Sequence, residues 1–546
     1  MQKRVKKLLP LLLIIIFGAF IRINEFGKTP DSMNWDEVAI SYNAWSISQT
    51  GKDEYGNYFP LVFRSFDDYK PPLYIYLTVP FVLFFGPIDY VSRIPNLILG
   101  ILSIVGIFLL GRKLFDNQKV AVISAFIFAT LPWAIHFSRV GFEANSLIFF
   151  TIFGWYFFEK FINKSSARWL IMSVIFFLLG LYAYHSAKLV TPLFVLILCI
   201  FQIKKILLLN TRVKISLLLI SGILLLPIFY STFFLGGQNR FDATTVFSKK
   251  NLDNTDPLRR LIDIESNDIF SGKIYHNTTY YQVERFVQNY FSHYTSDFLL
   301  FTQDNPRHHA TRVGVLLLAQ CLALIIGLLA LIVKKNKKTS KISVLSLFAI
   351  SPLASAITLE SPHAIRSSII ILPITLLCGL GVYRLYEFSK TRLHVPIILF
   401  ILLYSFNFYF FIHQYFVHYN YEAAEFWQYG RKEAALFTKS IETNYDEIWI
   451  SNSLEQSYIY WLYYQKISPD NYVFSGGTKS GYQGFNGNSY GKYKFMEIDP
   501  NKIESDKKIL IVGLKDEFTF WPIKQIKNPS GSTIIEISDN LQHAKD

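Results

Sequence analysis

Long apolar runs separated by short polar loops dominate the chain up to residue 413. Runs of this length with almost no interior charge are typical of membrane-spanning helices, which satisfy every backbone polar group internally. The pattern predicts a polytopic α-helical membrane protein with about eleven transmembrane helices. The predicted spans are approximately 8–26, 94–112, 119–137, 145–162, 168–184, 187–203, 214–234, 311–333, 342–359, 365–386 and 393–413.

The segment 71–86 is apolar but short, begins with two prolines and has Pro80 at its centre. A segment of this length favours a re-entrant or interfacial helix over a full span. If it does not cross, basic loops such as those at Arg112-Lys113, Lys204-Lys205 and Lys334-Lys335 lie in the cytoplasm, as the positive-inside rule expects. If it crosses, every such loop lies outside. The charge pattern therefore predicts that 71–86 does not cross. The N-terminal segment lacks a small-x-small cleavage site and continues directly into Arg22, which predicts an uncleaved anchor with a cytoplasmic N-terminus.

The chain changes character after residue 413. Residues 414–546 are polar, and this region is predicted to form a small extracytoplasmic α/β module. Its predicted elements are a helix at 421–441 and strands at Glu447–Ser451, Lys508–Val512 and Ser532–Ile537. Residues 1–413 are predicted to form the transmembrane domain, with large outer loops at 27–93 and 235–310.

Composition narrows the possible functions. Charged residues make up only 17% of the chain, well below the quarter of a soluble domain. The net charge of +14 comes from loop residues next to spans, so nucleic-acid binding is not expected. All three cysteines fall within apolar spans, which leaves no disulfide framework to read. Phosphate-loop, zinc-protease and serine-hydrolase motifs are missing from the sequence, so ATP-driven transport and proteolysis find no support.

Ionisable residues collect at the predicted outer face. Asp36 and Glu37 follow the first span, where charges are costly unless they are solvated, paired or used. One of them could act as a general base, whereas an isolated Asp-Glu pair is more often solvated or caps a helix. The many cations on the same face favour a phosphate-bearing substrate. The other candidates are Lys70, Arg93, Arg139, Glu143, His185, Lys188, Arg307, His308, His309, His363 and Arg366.

Several of these candidates also have a structural interpretation. Lys70 could extend its ammonium to the lipid headgroups. Arg139 and Glu143 are spaced for an i,i+4 ion pair, and His185 and Lys188 are spaced to share a helical face. The adjacent His308 and His309 are weak evidence for zinc, because the sequence shows no third ligand at a diagnostic spacing. The metal content therefore stays unknown at this level.

The acidic pair after the first span, Lys70-Pro71-Pro72-Leu73, Arg93 before the second span and Arg139-x-x-x-Glu143 resemble the GT-C class of membrane glycosyltransferases. The most similar branch is the group of protein O-mannosyltransferases and lipid A aminoarabinose transferases, of glycosyltransferase family 39 type. The resemblance is strongest over 1–200. It implies an inverting enzyme that moves a sugar from a polyprenyl-phosphate donor to a protein, lipid or glycan acceptor, at the outer face of the cytoplasmic membrane.

The resemblance also implies roles for residues. Asp36 matches the base, Glu37 would support the catalytic site, and Lys70 stands where the lipid A branch has a phosphate-binding lysine. Tyr69 replaces a zinc-binding glutamate of that branch, so no cofactor is required and a divalent metal is not favoured. The alternatives are a lipid-linked saccharide transporter (flippase) and a non-catalytic scaffold; a transporter would be expected to show half-repeats and ionisable groups at mid-bilayer. The expected donor-phosphate ligands are Lys70, Arg93, Arg139, Lys188 and Arg366, supported by Glu143, His185, Arg307, His308 and His363.

Overall fold

The computed structural model describes residues 2–66, 68–234, 244–248, 255–301, 304–333, 337–391, 394–479, 488–499 and 507–541. Lys334-Lys335 and parts of the predicted loop 235–310 lie outside the described residues. The chain forms two compact units. The helical unit comprises Met1–Arg22, Leu99–Phe137 and Glu143–Phe411, and the mixed unit comprises Ile23–Ile98, Ser138–Phe142 and Ile412–Asp546.

Apolar helices account for most of the chain up to residue 413. Among the described residues, five helices are long and apolar enough to cross a membrane: Val91–Phe115, Thr211–Phe234, Lys338–Ala356, Ser368–Lys390 and Val395–Glu422. Shorter apolar helices are Leu8–Ile23, Leu73–Phe85, Gln118–Thr130, Ala167–Ala183, Ala187–Phe201 and Leu318–Val333. Ala144–Lys164 is a further helix, and smaller ones include Pro132–Phe137, Ile203–Leu207, Thr255–Glu265, Ile269–Tyr275, Thr278–Ser292 and Ser296–Leu300. The count of eleven spans stays a prediction.

Proline divides one of the predicted spans. The predicted span 119–137 is two helices, Gln118–Thr130 and Pro132–Phe137, because Leu131 before the proline adopts an extended conformation. The predicted span 342–359 contains the helices Lys338–Ile350 and Leu353–Ala356, and Ser351 and Pro352 between them keep helical backbone angles, so this segment is continuous. The span predicted at 311–333 was too long at its start, since its helix begins at Leu318. Apolar periodicity alone does not locate such breaks.

Glycines allow two helices of the helical unit to approach closely. A Cβ added to Gly327 would lie 2.0 Å from the Leu377 carbonyl oxygen, and one added to Gly381 would lie 1.9 Å from that of Ala323. The helices Leu318–Val333 and Ile371–Thr391 therefore pack backbone against backbone. Small residues at such crossings are the usual means of tight packing between membrane helices.

The mixed unit combines the first outer loop with the C-terminal residues. Residues Met33, Val38 and Tyr42 share one hydrophobic core with Ile448 and Trp461. The loop contributes the helix Trp35–Thr50 and the antiparallel pair β1 (Phe63–Ser65) and β2 (Asp68–Lys70). The C-terminal strands are β3 (Glu447–Ser451), β4 (Asn488–Tyr490), β5 (Tyr493–Met496), β6 (Ile509–Leu514), β7 (Pro522–Lys527) and β8 (Thr533–Asp539). They form a sheet in the order β4-β5-β3-β6-β8-β7, in which β3 runs parallel to β5 and β6.

The helix predicted at 421–441 is interrupted. A short helix ends at Glu422, and the regular helix begins only at Arg431 and ends at Ile441. Gln428 and Gly430 adopt left-handed conformations, with φ of +52° and +88°. A left-handed residue ends a helix, which is why the polar and apolar periodicity of this stretch overestimated its length.

Candidate functional site

The helix Trp35–Thr50 places the acidic pair. The Asn34 side chain caps it by accepting a hydrogen bond from Glu37 N at 3.1 Å, and Asn34 N donates in return to the Glu37 carboxylate at 3.3 Å. This reciprocal arrangement is a capping box and satisfies two backbone donors that the helix leaves open. The expected alternative of an N-cap acid is not met as such, because Asn34 is the cap and Glu37 is its reciprocal partner in the first turn. Because successive helical residues point about 100° apart, Asp36 faces another direction.

Glu37 and Arg93 form a fully buried ion pair. Their side chains are 0% and 1% exposed, and Arg93 Nε and Nη2 each donate to a Glu37 oxygen at 2.8 Å. Gly141 N donates a further bond to the carboxylate, at 2.6 Å, in addition to the bond from Asn34 N. Arg93 also donates to the carbonyl oxygens of Pro30 and Ser32 at 2.6 and 2.5 Å. Both oxygens of the Glu37 carboxylate are thus occupied by protein donors.

Asp36 and Lys70 form a second, more accessible pair. Lys70, at the end of β2, donates from Nζ to Asp36 Oδ1. The Asp36 side chain is 31% exposed, whereas that of Lys70 is 9% exposed. The structure thus brings together Asp36, predicted to act on the acceptor, and Lys70, predicted to bind the donor phosphate. The two residues are more than thirty positions apart in the sequence. It leaves the carboxylate open to solvent on one side.

Arg139 is buried in the mixed unit and bound to backbone. It donates to the carbonyl oxygens of Asn24, Glu25 and Thr29 at 2.6, 3.1 and 3.0 Å. Its guanidinium also lies 4.9 Å from the centre of the Phe416 ring. Arg93 and Arg139 therefore both bind the chain between residues 24 and 32, and both guanidinium groups hold backbone carbonyls.

A cavity of about 280 Å³ opens in the same unit. Its described lining includes Asp31, Arg93, Tyr429, Lys432 and Tyr464, so that first-loop and C-terminal residues share it. Lys432 pairs with Asp89 at its edge. The cavity carries both acidic and basic groups beside aromatic rings, which suits a polar ligand with hydroxyl groups.

The remaining candidates lie in the helical unit. Lys188 is in the first turn of the helix Ala187–Phe201, and the others lie in turns and loops between helices. Arg366 is held by Glu360 at 3.0 Å and by Thr358 at 2.8 Å, and Lys188 Nζ donates to Thr232 at 3.3 Å. Two predicted helical faces are wrong, because Arg139 and Glu143 fall between Phe137 and Ala144, outside the helices, and His185 lies in a turn before Ala187. The Glu143 carbonyl accepts from Ser146, His185 contacts the Tyr184 ring, and the Arg307 carbonyl accepts from His136.

Asp304 is a functional candidate that the sequence did not single out. Its carboxylate accepts from His308 Nδ1 at 2.9 Å and from Ala364 N at 2.6 Å, and the His308 and His363 rings are 4.6 Å apart. Burial alone would raise the pKa of the Asp304 carboxyl, but His308, His363 and the Ala364 N–H together hold it below its ordinary value. Asp304 and His308 are spaced i,i+4, which is the signal that was available in the sequence.

Part of the chain matches a known protein family. Residues 69–230 match the model of the dolichyl-phosphate-mannose-protein mannosyltransferase family. Over 155 residues the chain is 28% identical to dolichyl-phosphooligosaccharide-protein glycotransferase 2 of Archaeoglobus fulgidus, a match that covers 25% of this chain and 24% of that protein. The chain thus spans about a quarter of the length of the curated relatives it matches.

The fold extends the likeness to most of the chain. ArnT from Cupriavidus metallidurans bound to undecaprenyl phosphate is similar with a TM-score of 0.55 and 10% identity, covering 96% of this chain and 97% of that one. The oligosaccharyltransferase AglB from Archaeoglobus fulgidus, in complex with an inhibitory peptide and a dolichol-phosphate, is similar with a TM-score of 0.52 and 13% identity, covering 85% and 64%. The resemblance to GT-C glycosyltransferases is confirmed, and this chain has their multi-pass membrane fold.

Proposed function

We propose that this protein is an inverting glycosyltransferase. It moves a sugar from a polyprenyl-phosphate donor to an acceptor at the outer face of the cytoplasmic membrane. The observation that carries the proposal is the Asp36–Lys70 pair, a partly open carboxylate beside a lysine on a rigid, capped helix and hairpin. Support comes from the mannosyltransferase family match over residues 69–230 and from a fold shared with ArnT bound to undecaprenyl phosphate.

Lys70 binds the donor phosphate in this proposal. A cation at the leaving phosphate offsets the negative charge that grows as the bond to the sugar breaks. The Lys70 ammonium pairs with Asp36 in the structure. A phosphate competes for that ammonium more strongly than a single carboxylate does, and donor binding therefore frees Asp36 at the moment when a base is needed.

Asp36 then accepts the proton of the acceptor nucleophile. The acceptor atom bonds to the anomeric carbon, the bond from that carbon to the phosphate oxygen breaks, and polyprenyl phosphate leaves with the electron pair. A positioned general base contributes about 10²–10⁴-fold to such a step. One displacement inverts the anomeric centre.

The buried pair Glu37–Arg93 and the buried Arg139 are positioning groups in this scheme. Each is bonded to protein atoms that fix the helix carrying Asp36 or the chain between residues 24 and 32. Lys188 and Arg366 belong to the helical unit, and their phosphate role stays a prediction. A protein, a lipid or a glycan are all open as acceptors, and the sugar is equally open.

The test uses Asp36→Asn and Lys70→Met in purified, lipid-embedded protein. Their matched controls are Asp68→Asn and Lys52→Met, from the same outer loop. The assay measures release of polyprenyl phosphate from a panel of polyprenyl-phosphate hexoses and pentoses, with envelope extract of the source cells as acceptor. Asp36→Asn should lower turnover about 10²–10⁴-fold while binding undecaprenyl phosphate normally. Lys70→Met should weaken that binding, and both controls should behave as wild type.

Product stereochemistry supplies an independent check. The anomeric configuration of the transferred sugar, read by NMR, should be opposite to that of the donor. Full turnover in Asp36→Asn would remove the base assignment. Movement of donor across vesicle membranes without any sugar transfer, unaffected by Asp36→Asn, would favour a transporter instead.

A further inference from the structure

We propose that Asp304, His308 and His363 bind one divalent transition-metal ion, with zinc the metal that best matches the ligands. Their ligand atoms all lie within 4.8 Å of one another. One carboxylate and two imidazoles are a ligand set that zinc takes readily, whereas magnesium and calcium prefer oxygen alone. All three residues belong to the helical unit, and the inference is independent of the proposed glycosyl transfer.

The turn that carries Asp304 and His308 is fixed by its own hydrogen bonds. Asn305 N donates to Asp304 Oδ1 at 2.7 Å, and His308 N donates to the Asn305 carbonyl at 2.8 Å. The turn thereby sets His308 Nδ1 at 2.9 Å from Asp304 Oδ2. The Asp304 and His308 side chains are only 6% and 4% exposed.

His363 reaches the same point from a separate turn. Ser367 holds this turn by donating from N and Oγ to the His363 carbonyl, at 3.1 and 2.8 Å. The next residue, Ala364, donates from N to Asp304 Oδ2 at 2.6 Å. A backbone donor on a ligating carboxylate orients it, which is the role of outer hydrogen bonds around metal sites.

The three ligand atoms are close enough for small side-chain movements to bring them to zinc-binding distances. Zinc ligands about 2.0–2.2 Å from the metal stand about 3.3 Å apart in a tetrahedron, a contraction within reach of side-chain rotation. Three protein ligands leave a fourth position for water or for an oxygen anion. The structural alternative is a metal-free Asp304–His308 hydrogen bond that only stiffens the turn. A metal site and a metal-free hydrogen bond differ in one measurable property, the affinity for metal.

The test measures zinc on the full-length protein in detergent. Wild type, Asp304→Asn and His363→Gln are stripped with chelator, reloaded with zinc salt alone and analysed for metal per chain by mass spectrometry. The matched control is His276→Gln, which removes the histidine of another His–Asp pair, 2.6 Å from Asp263. Wild type and control should hold about one zinc per chain and gain thermal stability on reloading. The two cluster variants should bind at least about tenfold more weakly and show no such gain.

A second test uses wild-type protein alone and therefore does not depend on the folding of any variant. Stripped wild-type protein titrated with Co²⁺ should develop the visible absorption bands of a low-symmetry nitrogen and oxygen site. Absence of those bands, or a zinc content far below one per chain after reloading, overturns the proposal. Unchanged zinc affinity in well-folded His363→Gln protein overturns it as well.

Discussion

Adjacent acids of the same chemical type have different environments here. Glu37 is fully buried and binds Arg93, Gly141 N and Asn34 N, whereas Asp36 retains 31% exposure beside Lys70. The cause is the 100° rotation per helical residue, which turns one side chain into the core and the other towards the open side. The family resemblance predicted Asp36 as the base and Glu37 as a supporting group, but the burial of Glu37 could not be predicted from the sequence, because it depends on Arg93 and Gly141, far along the chain.

Replacement of each acid by its amide should separate the two roles in stability. Glu37→Gln leaves the Arg93 charge buried without a counter-charge, which costs about 3–5 kcal/mol. Asp36→Asn breaks a partly exposed pair and should cost about 1 kcal/mol or less. We expect a large drop in Tm for the first variant and a small one for the second, measured by thermal unfolding in one detergent. Equal Tm values would contradict the structural role of Glu37.

Glu54 is a buried acid that predicts a pH dependence. It accepts hydrogen bonds from Asn43, Tyr458 and Thr478, at 3.0, 3.1 and 2.8 Å. Burial raises the pKa of Glu54 from 4.5 to about 7, although these bonds partly oppose the shift. The folded state therefore holds its proton more tightly than the unfolded chain does.

Stability of the mixed unit should therefore fall as the pH rises. Between pH 4.5 and 7 the unfolded chain releases the proton first, and the loss reaches about 3 kcal/mol above pH 7. Glu54→Gln removes the titratable group. The amide NH₂ that it introduces can donate to the hydroxyl oxygens of Tyr458 and Thr478. The Tm of wild type should decline over this window more steeply than that of Glu54→Gln. Parallel curves would show that Glu54 does not titrate there.

At the scale of elements, helices were predictable and their ends were not. Apolar runs identified Ala144–Lys164 and Thr211–Phe234 within a few residues, because length and hydrophobicity are local properties. The breaks before Pro132 and at Gly430 depend on backbone conformations that hydrophobic periodicity does not encode. Capping is intermediate, since Asn34 and Glu37 carry a readable capping box that was interpreted only as one alternative for the acidic pair.

The cap of the site helix should matter more for activity than an equal cap elsewhere. Asn34→Ala removes the acceptor of the Glu37 N–H and should cost about 1 kcal/mol, as should Asn117→Ala at the start of Gln118–Thr130. Only Asn34→Ala should also lower glycosyl transfer, because Asp36 sits in the first turn of its helix. Tm and turnover of both variants are compared with wild type. Equal losses of turnover would mean that the effect is general destabilisation.

At the scale of the whole molecule, the mixed unit combines segments that are far apart in the sequence. Its core joins Val38 and Tyr42 of the first outer loop to Ile448 and Trp461 near the other end of the chain. The sequence predicted a separate C-terminal module at 414–546, since only the change of composition was visible. Likewise, Asp304 and His308 lie beside His363, which belongs to another turn. The spacing of residues in the sequence therefore could not identify His363 as part of the same cluster. Contacts between distant segments are the part of a fold that local patterns leave open.

Membrane topology is the whole-molecule property that the loop charges predict most sharply. If the 13-residue helix Leu73–Phe85 does not cross, then Arg64 before it and Asp89 after it lie on the same, outer side. Single cysteines at these positions, in a background with Cys199, Cys321 and Cys378 replaced by serine, should both react with a membrane-impermeant maleimide in intact cells. A cysteine at Asp116, in a loop predicted to be cytoplasmic, should react only after permeabilisation. Labelling of the Asp89 position only in permeabilised cells would mean that the helix crosses, and every later loop would change sides.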